Sequence, residues 1–175
     1  MATRRPSVSA ELTSSQVLGW RLERQLVDPV GDLDVRETVR ALAGIQAQVQ
    51  SSAELAIALR RPPSPAGETA VAIAEGTIMR TWAMRGTLHL LDPVQGGAFL
   101  ALLATTRRWE GAAWQATFGV GPAELETLTG IVREALDGRI LTREQVIEAV
   151  LEGTGNRDLE EHMRSGWGGI LKPLT

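Results

Sequence analysis

The sequence lacks the side chains on which much redox and metal chemistry depends. Its 175 residues include no cysteine and only two histidines, His89 and His162. The absence of cysteine excludes disulfides, catalytic thiolates, cysteine-ligated zinc and iron–sulfur clusters. Two histidines that lie far apart in the chain do not suggest a metal site. We therefore expect neither a metal nor a cofactor.

Long hydrophobic runs are also missing. No apolar segment approaches the roughly 18 residues that a membrane-spanning helix needs, and the first residues lack the apolar block of a secretory signal. The chain is nevertheless 43% hydrophobic and 22% charged, a composition that can bury a core. These features predict a soluble, cytoplasmic protein of one domain, or of one domain and part of another.

Lysine is almost absent, since Lys172 is the single lysine beside 17 arginines. This excess fits a GC-rich genome, and it also supplies planar groups that match phosphate. The net charge of −3 argues against a wholly basic nucleic-acid binder. Residues 1–110 carry 12 basic and 11 acidic side chains (+1), whereas residues 111–175 carry 6 and 10 (−4). Any nucleic-acid contact is therefore expected from a local patch in the first part of the chain.

Helix signals occupy most of the sequence. Capping boxes, in which a cap residue precedes a Glu or Gln by three positions, predict four helix starts: Thr13 with Gln16, Asp34 with Glu37, Ser51 with Glu54, and Thr142 with Gln145. Apolar periodicity and breaking residues predict further helices over Glu68–Glu75, after Asp92-Pro93, around Trp109 and Trp114, after Pro122, and around Leu159 and Met163.

One segment is typical of strands instead. Thr77–Met84 and Thr87–Leu91 are rich in β-branched and apolar residues, so they predict a β-hairpin with Arg85-Gly86 at its turn. No other segment is expected to form a strand. Three short helices followed by a hairpin is the order of a winged helix. We predict a mainly α fold with a small β-hairpin, a flexible tail over residues 1–10, a winged-helix domain over 11–118 and a partial second one over 122–175.

The first candidate site is Gln46-Ala47-Gln48, on the predicted link between the second and third helices. An amide is a weak base, but it can accept a hydrogen bond from water and donate one elsewhere. Two amides with one residue between them can orient a water molecule or a sugar, which is catalysis by positioning. We expect both to face a concave surface shared with the hairpin. Solvated or helix-capping glutamines are the alternative.

The hairpin carries the second set of candidates. Arg80 and Trp82 share one face of the first strand because strand side chains alternate, and Arg85 lies at the tip, where it can reach a DNA groove or a phosphate. His89 is a candidate acid, base or DNA contact, or else a structural hydrogen-bonding residue. An ordinary hairpin with solvated arginines is the alternative.

A third set combines cations with aromatic rings. Arg107 and Arg108 precede Trp109 and Trp114, and such a combination can bind phosphates and stack bases. A packed helix with a solvated charged end is the alternative. No phosphate-binding glycine loop, nucleophile elbow or metal-ligand spacing is present.

Two motifs, taken in this order, resemble the AlkZ-like winged-helix DNA glycosylases. They are Gly44-Ile45-Gln46-Ala47-Gln48 and Met84-Arg85-Gly86-Thr87-Leu88-His89-Leu90. The resemblance extends from about Leu12 to the closing Trp167-Gly-Gly-Ile-Leu-Lys-Pro173. It implies tandem winged helices that form a concave channel for double-stranded DNA, and a catalytic Gln-hydrophobic-Gln motif that Gln46 and Gln48 match.

The resemblance also implies a reaction. Members of this family are bacterial enzymes that hydrolyse the N-glycosidic bond of alkylated bases, N7-alkylpurines and interstrand crosslinks among them. An N7-alkylated purine already carries positive charge, so neutral amides that position water can suffice for its release. With Gln46 and Gln48 as catalytic residues, the expected DNA contacts are Arg80, Arg85, His89, Arg107 and Arg108. The alternatives are a non-catalytic winged-helix DNA-binding or regulatory protein and a folding or interaction module.

The chain is about half as long as the family it resembles, which predicts a fragment or a short relative. The later winged-helix elements and an appended β-barrel are missing from it. In a fragment, the helices over Val146–Leu151 and Leu159–Met163 are expected to expose apolar side chains, because no later hairpin covers them.

Overall fold

The computed structural model describes residues 11–63, 65–165 and 169–174. Within these residues the chain forms helices α1 Ser14–Arg24, α2 Val35–Ala41, α3 Gln50–Ala58, α4 Glu68–Ala74, α5 Pro93–Ala104, α6 Ala112–Phe118, α7 Pro122–Leu136, α8 Arg143–Thr154 and α9 Leu159–Arg164. Strands β1 Ile45–Gln46, β2 Met79–Trp82 and β3 Leu88–Leu91 form one sheet in the order β1-β3-β2. The prediction of a mainly α protein with a small β-hairpin is confirmed. The tail predicted over residues 1–10 lies outside the described residues.

The chain divides into two compact units. The first comprises residues 1–81 and 87–96, and the second comprises residues 82–86 and 97–175, so that the division falls within α5. These two units are defined by their internal contacts, and their bounds differ from the predicted domain bounds of 11–118 and 122–175. That the two domains are winged helices stays a prediction.

Local capping chemistry sets most helix starts. In three of the four predicted boxes, the side chains of Thr13, Asp34 and Thr142 accept a hydrogen bond from the backbone N–H of the third helical residue. The side chain of that third residue accepts one in turn from the backbone N–H of the cap. The box at Ser51 was wrong. Helix α3 begins at Gln50, two residues earlier than a cap at Ser51 predicts, and therefore places Ser51 inside the first turn. The side chain of Gln50 engages Glu54 at 3.0 Å.

The expectation that no strand exists outside the hairpin was also wrong. Strand β1 pairs with β3 in antiparallel register, Ile45 opposite Leu90 and Gln46 opposite His89. The backbone N–H of Ala47 extends the pairing by donating to the Leu88 carbonyl at 2.7 Å. The signal was present, because residues 45–50 alternate between apolar and glutamine side chains, the period of a half-buried strand.

Each unit has its own core. In the first unit, buried apolar residues of α2, α3 and α4 pack with those of β1 and β3: Val35, Val39, Ile45, Ala47, Ala53, Ile57, Ala72 and Leu90, with Ile78 just before β2. In the second, α7, α8 and α9 pack with the C-terminal turn: Val120, Leu125, Leu128, Val132, Ile147, Val150, Leu159, Met163, Ile170 and Leu171. The sheet edge that carries Gln46 and Gln48 therefore rests on the first core.

This second core overturns the expected apolar exposure near the C-terminus. Ile147, Val150, Leu159 and Met163 are all buried. Helix α7 and residues 170–171 cover them in place of the hairpin that the winged-helix pattern led us to expect. A single helix across Trp109 and Trp114 was likewise wrong, since a separate 3₁₀ turn, Arg108–Glu110, holds the first tryptophan and α6 holds the second.

Asp92 joins β3 to α5 and is only 1% exposed. One carboxylate oxygen caps α5 by accepting from the backbone N–H groups of Val94 and Gln95, and the other accepts from Arg36 Nε at 2.8 Å. The hydrogen bond from Arg36, followed by that from the Gln95 N–H, holds the pKa of Asp92 below its usual value against the opposing effect of burial. The predicted cap at Asp92-Pro93 is thus confirmed.

We expect the Asp92→Asn variant to lose stability at neutral pH and to lose less of it on acidification. Because the folded-state pKa of Asp92 is depressed, its carboxylate contributes fully above its unfolded pKa of about 3.9, and the contribution disappears as the pH falls through the folded value. Asparagine keeps a capping oxygen but has no charge for Arg36. Urea unfolding at pH 7, 5, 4 and 3 measures the difference in the free energy of unfolding between the unmodified protein and the variant. This difference should become smaller below about pH 4.

The exposed Asp32→Asn is the matched control, since that carboxylate has no partner in the described part of the chain. If the stability difference between Asp92→Asn and the unmodified protein does not change with pH, the charge of Asp92 does not stabilise the fold.

Candidate active site

Gln46 and Gln48 lie on the exposed side of the edge strand. Because side chains alternate along a strand, Ile45 and Ala47 point into the first core while both glutamines remain exposed. The backbone thus places two neutral amides on one side, one residue apart. This spacing suits a pair of groups that act on one small molecule.

A hydrogen bond to the hairpin orients Gln48. Its Oε1 accepts from the backbone N–H of Leu88 at 3.2 Å, which leaves the Nε2 protons to donate outward. The amide of Gln46 makes no hydrogen bond within the described residues and keeps both an acceptor and donors. Gln48 therefore contacts the hairpin as expected, and the concavity of the surface that the two amides share stays a prediction.

Arg80 supports the backbone between the two glutamines. Its Nη2 donates to the Ala47 carbonyl at 2.9 Å, while the Ala47 N–H donates to Leu88. Both backbone polar groups of Ala47 are therefore held, the N–H by β3 and the carbonyl by a side chain from β2. Arg80 thus acts as a positioning residue for the glutamine strand, and its predicted contact with DNA stays a prediction.

We expect Arg80→Ala to lower the free energy of unfolding by about 1 kcal/mol. A hydrogen bond from a charged donor contributes about 1.5–3 kcal/mol, and the solvent exposure of Arg80 reduces that value. Chemical unfolding measures the change. Arg40→Ala is the control, because the exposed guanidinium group of Arg40 has no partner in the described part of the chain, and its loss should shift stability by less than about 0.5 kcal/mol. If both variants lose the same free energy of unfolding, Arg80 does not act as a positioning residue.

His89 faces inward. It is 8% exposed, and its Nδ1 lies 2.9 Å from the carbonyl oxygen of Thr87. It sits opposite Gln46 in the sheet register. This environment favours the structural alternative for His89, and its role as a DNA contact stays a prediction.

The other three predicted DNA contacts belong to the second unit. Arg85 is exposed at the hairpin turn with a left-handed backbone, at φ 57°. Arg107 forms an ion pair with Glu110, whereas the exposed side chain of Arg108 has no partner among the described residues. The structure therefore brings Gln46, Gln48, Arg80 and His89 together in the first unit and assigns the remaining arginines to the second.

Sequence reasoning missed the support that the glutamine strand receives. The strand pairing of β1 and the anchoring roles of Leu88 and Arg80 depend on residues distant in the chain, and only the apolar–polar alternation of residues 45–50 signalled them. Among the described residues, no cluster of side chains could hold a metal ion, and no helix is long and apolar enough to cross a membrane.

Comparisons with known proteins agree on one family. The family model described as DNA glycosylase AlkZ-like matches residues 39–171, a span that includes both glutamines and the hairpin. The chain is 41% identical, over 160 residues, to the interstrand DNA cross-link repair glycosylase of Streptomyces sahachiroi. The solved structure of the Streptomyces sahachiroi DNA glycosylase AlkZ matches 94% of the chain with a TM-score of 0.84 and 39% identity.

The match covers nearly all of this chain but less than half of each relative. It covers 91% of this chain but 43% of the curated relative, and 44% of the solved structure. The chain thus spans less than half the length of the proteins it matches. The family model nevertheless accounts for most of the chain, including the strand that presents the two amides. The chain belongs to the AlkZ-like DNA glycosylase family.

Proposed function

We propose that this chain is the glutamine-bearing part of a DNA glycosylase that hydrolyses the N-glycosidic bond of alkylated bases in double-stranded DNA. The substrates are N7-alkylpurines and interstrand crosslinks, and the architecture is winged-helical. The observation that carries the proposal is the pair of exposed amides on β1 and just beyond its end, of which Gln48 is oriented by the Leu88 N–H. The Streptomyces relative, named as an interstrand DNA cross-link repair glycosylase, supports the choice of crosslinks.

The chemistry suits neutral groups. An N7-alkylated purine is cationic, so when its bond to C1′ breaks the base leaves with the bonding electron pair as a neutral molecule, and the sugar becomes oxocarbenium-like. Gln46 Oε1 can accept a hydrogen bond from the attacking water, and the Nε2 group of Gln48 can donate one to its oxygen. Water oxygen bonds to C1′, and its proton passes to solvent, since an amide does not take it. Positioning is then the main contribution of these residues.

One observation favours a second function. Because Gln48 Oε1 already accepts from Leu88, the amide also has a purely structural use in holding β1 to β3. A non-catalytic DNA-binding or regulatory protein needs no more than this.

Base release separates the two functions. The full-length protein encoded by the gene is incubated with a duplex that carries one N7-methylguanine, beside an undamaged duplex, and the freed base is quantified. Release above the spontaneous rate supports the glycosylase. Tight binding to both duplexes without release supports the regulatory alternative and overturns the proposal.

A further inference from the structure

The second unit contains a cavity of about 410 Å³ whose lining is both aromatic and cationic. This volume falls within the range of small-molecule sites, about 300–1,000 Å³. The side chains that carry its chemistry are three tryptophans and three cations: Trp82, Trp109, Trp114, Arg85, Arg108 and Lys172. None of the described residues that line it is acidic. In a chain of net charge −3, such a lining selects anions.

The aromatic side of the cavity is held in place. Trp82, Trp109 and Trp114 are half-buried, and each packs against the core of the second unit. Trp114 also contacts the ring of Phe118 at a centroid distance of 4.8 Å. Rings fixed in this way lose little freedom when a flat ligand stacks on them. Stacking on such a surface tolerates any nucleobase, because every base has a π-face.

The cationic side offers two guanidinium groups with unused hydrogen-bond donors. The guanidinium groups of Arg85 and Arg108 are exposed and have no partner in the described parts of the chain. The ammonium group of Lys172 lies beside Gly86, next to Arg85 at the hairpin turn. Guanidinium groups match the geometry of phosphate oxygens. A ligand that suits both sides carries an aromatic ring system and a phosphate.

We propose that this cavity binds one unpaired nucleotide of a DNA strand, with its base among the tryptophans and its phosphate on Arg85 and Arg108. The choice of DNA as the source rests on the proposed function, whereas the nucleotide chemistry rests on the cavity alone. The volume has room for a single nucleotide and not for a base pair with its backbone. A base that leaves the stack is thereby captured in the second unit.

The first test is a fluorescence titration with free nucleotide. Three tryptophans of the described residues line the cavity, so stacking there quenches their intrinsic emission. We expect deoxyguanosine monophosphate to quench at concentrations about tenfold lower than deoxyguanosine, which lacks the phosphate, and inorganic phosphate not to quench at all. Absence of quenching by the nucleotide overturns the proposal.

The second test identifies the source of the nucleotide. A duplex with one unpaired guanine is compared with a fully paired duplex of the same length, both undamaged. We expect the unpaired guanine to raise affinity about tenfold, since stacking of one base contributes about 1–3 kcal/mol. Binding of free nucleotide without any preference for the unpaired duplex overturns the assignment to DNA.

The variants remove charge without disturbing the fold. Glycine suits the left-handed backbone at position 85, so Arg85→Gly combined with Arg108→Ala deletes both guanidinium groups and strains nothing. This double variant should lose the preference for the unpaired guanine. Arg133→Ala, an exposed arginine of the same unit outside the cavity lining, should keep it. Equal behaviour of the two variants overturns the proposal. The nucleotides and duplexes in these binding tests are undamaged. The tests therefore do not depend on base release, and they can be interpreted even if the protein releases no base.

Discussion

Replacing Gln48 with alanine is expected to slow the release of N7-methylguanine by about 100-fold or more, the effect of losing one positioned transition-state contact. Stability should change little. The side chain is exposed, and the substitution removes a single hydrogen bond to the Leu88 N–H, worth about 1 kcal/mol. Single-turnover base release measures the rate, and thermal unfolding measures the stability of the same preparations.

A matched pair of variants sharpens this test. Gln46→Ala should slow release to a similar extent, because its amide is the one with an acceptor left for water. Gln50→Ala removes an amide of the same kind two residues beyond Gln48, where α3 has already begun, and should excise at the normal rate. If Gln48→Ala releases base as fast as the unmodified protein, the amide is structural and the regulatory alternative is favoured.

The second large effect concerns stability. Leu90→Ala is expected to lower the free energy of unfolding by about 2–4 kcal/mol, the usual result of opening a cavity in a packed core. Leu90 is 2% exposed, and it faces Ile45 across the β1–β3 pair. Its loss therefore removes the support beneath the glutamine strand. Unfolding in urea, followed by circular dichroism, measures the change.

Leu55→Ala provides the comparison within the same unit. Leu55 is 59% exposed on α3, so its truncation should cost less than about 0.5 kcal/mol. A loss below about 1 kcal/mol for Leu90→Ala would mean that the strand pair is not anchored through this residue.

Local signals in the sequence predicted more of the fold than non-local ones. The boxes at Thr13, Asp34 and Thr142 involve residues three apart, and the structure has all three. The alternation of residues 45–50 was a local signal for strand β1, but its pairing was missed because the partner, β3, lies beyond two helices in the sequence. The burial of Ile147 and Met163 was missed for the same reason, since a pattern within a helix does not show which element packs on it.

The candidate site divides in the same way. Residue type and spacing were enough to select Gln46 and Gln48. The orientation of Gln48 depends on a backbone N–H of the hairpin, and the support from Arg80 crosses the sheet, so neither follows from the local sequence. The cavity of the second unit combines residues from three separate stretches of the chain, and of these the pattern identified only the arginines and tryptophans.

The antiparallel register of β1 limits how the length of this segment can change. Ile45 pairs with Leu90 and, like Ala47, faces the core, so alternation along the strand turns Gln46 outward. Deleting or inserting one residue before position 46 turns both amides into the core and both apolar side chains outward. An insertion or deletion of two residues leaves both amides exposed and both apolar side chains in the core. Among functional variants of this segment, insertions and deletions should therefore come in even numbers, whatever the identity of the residues added.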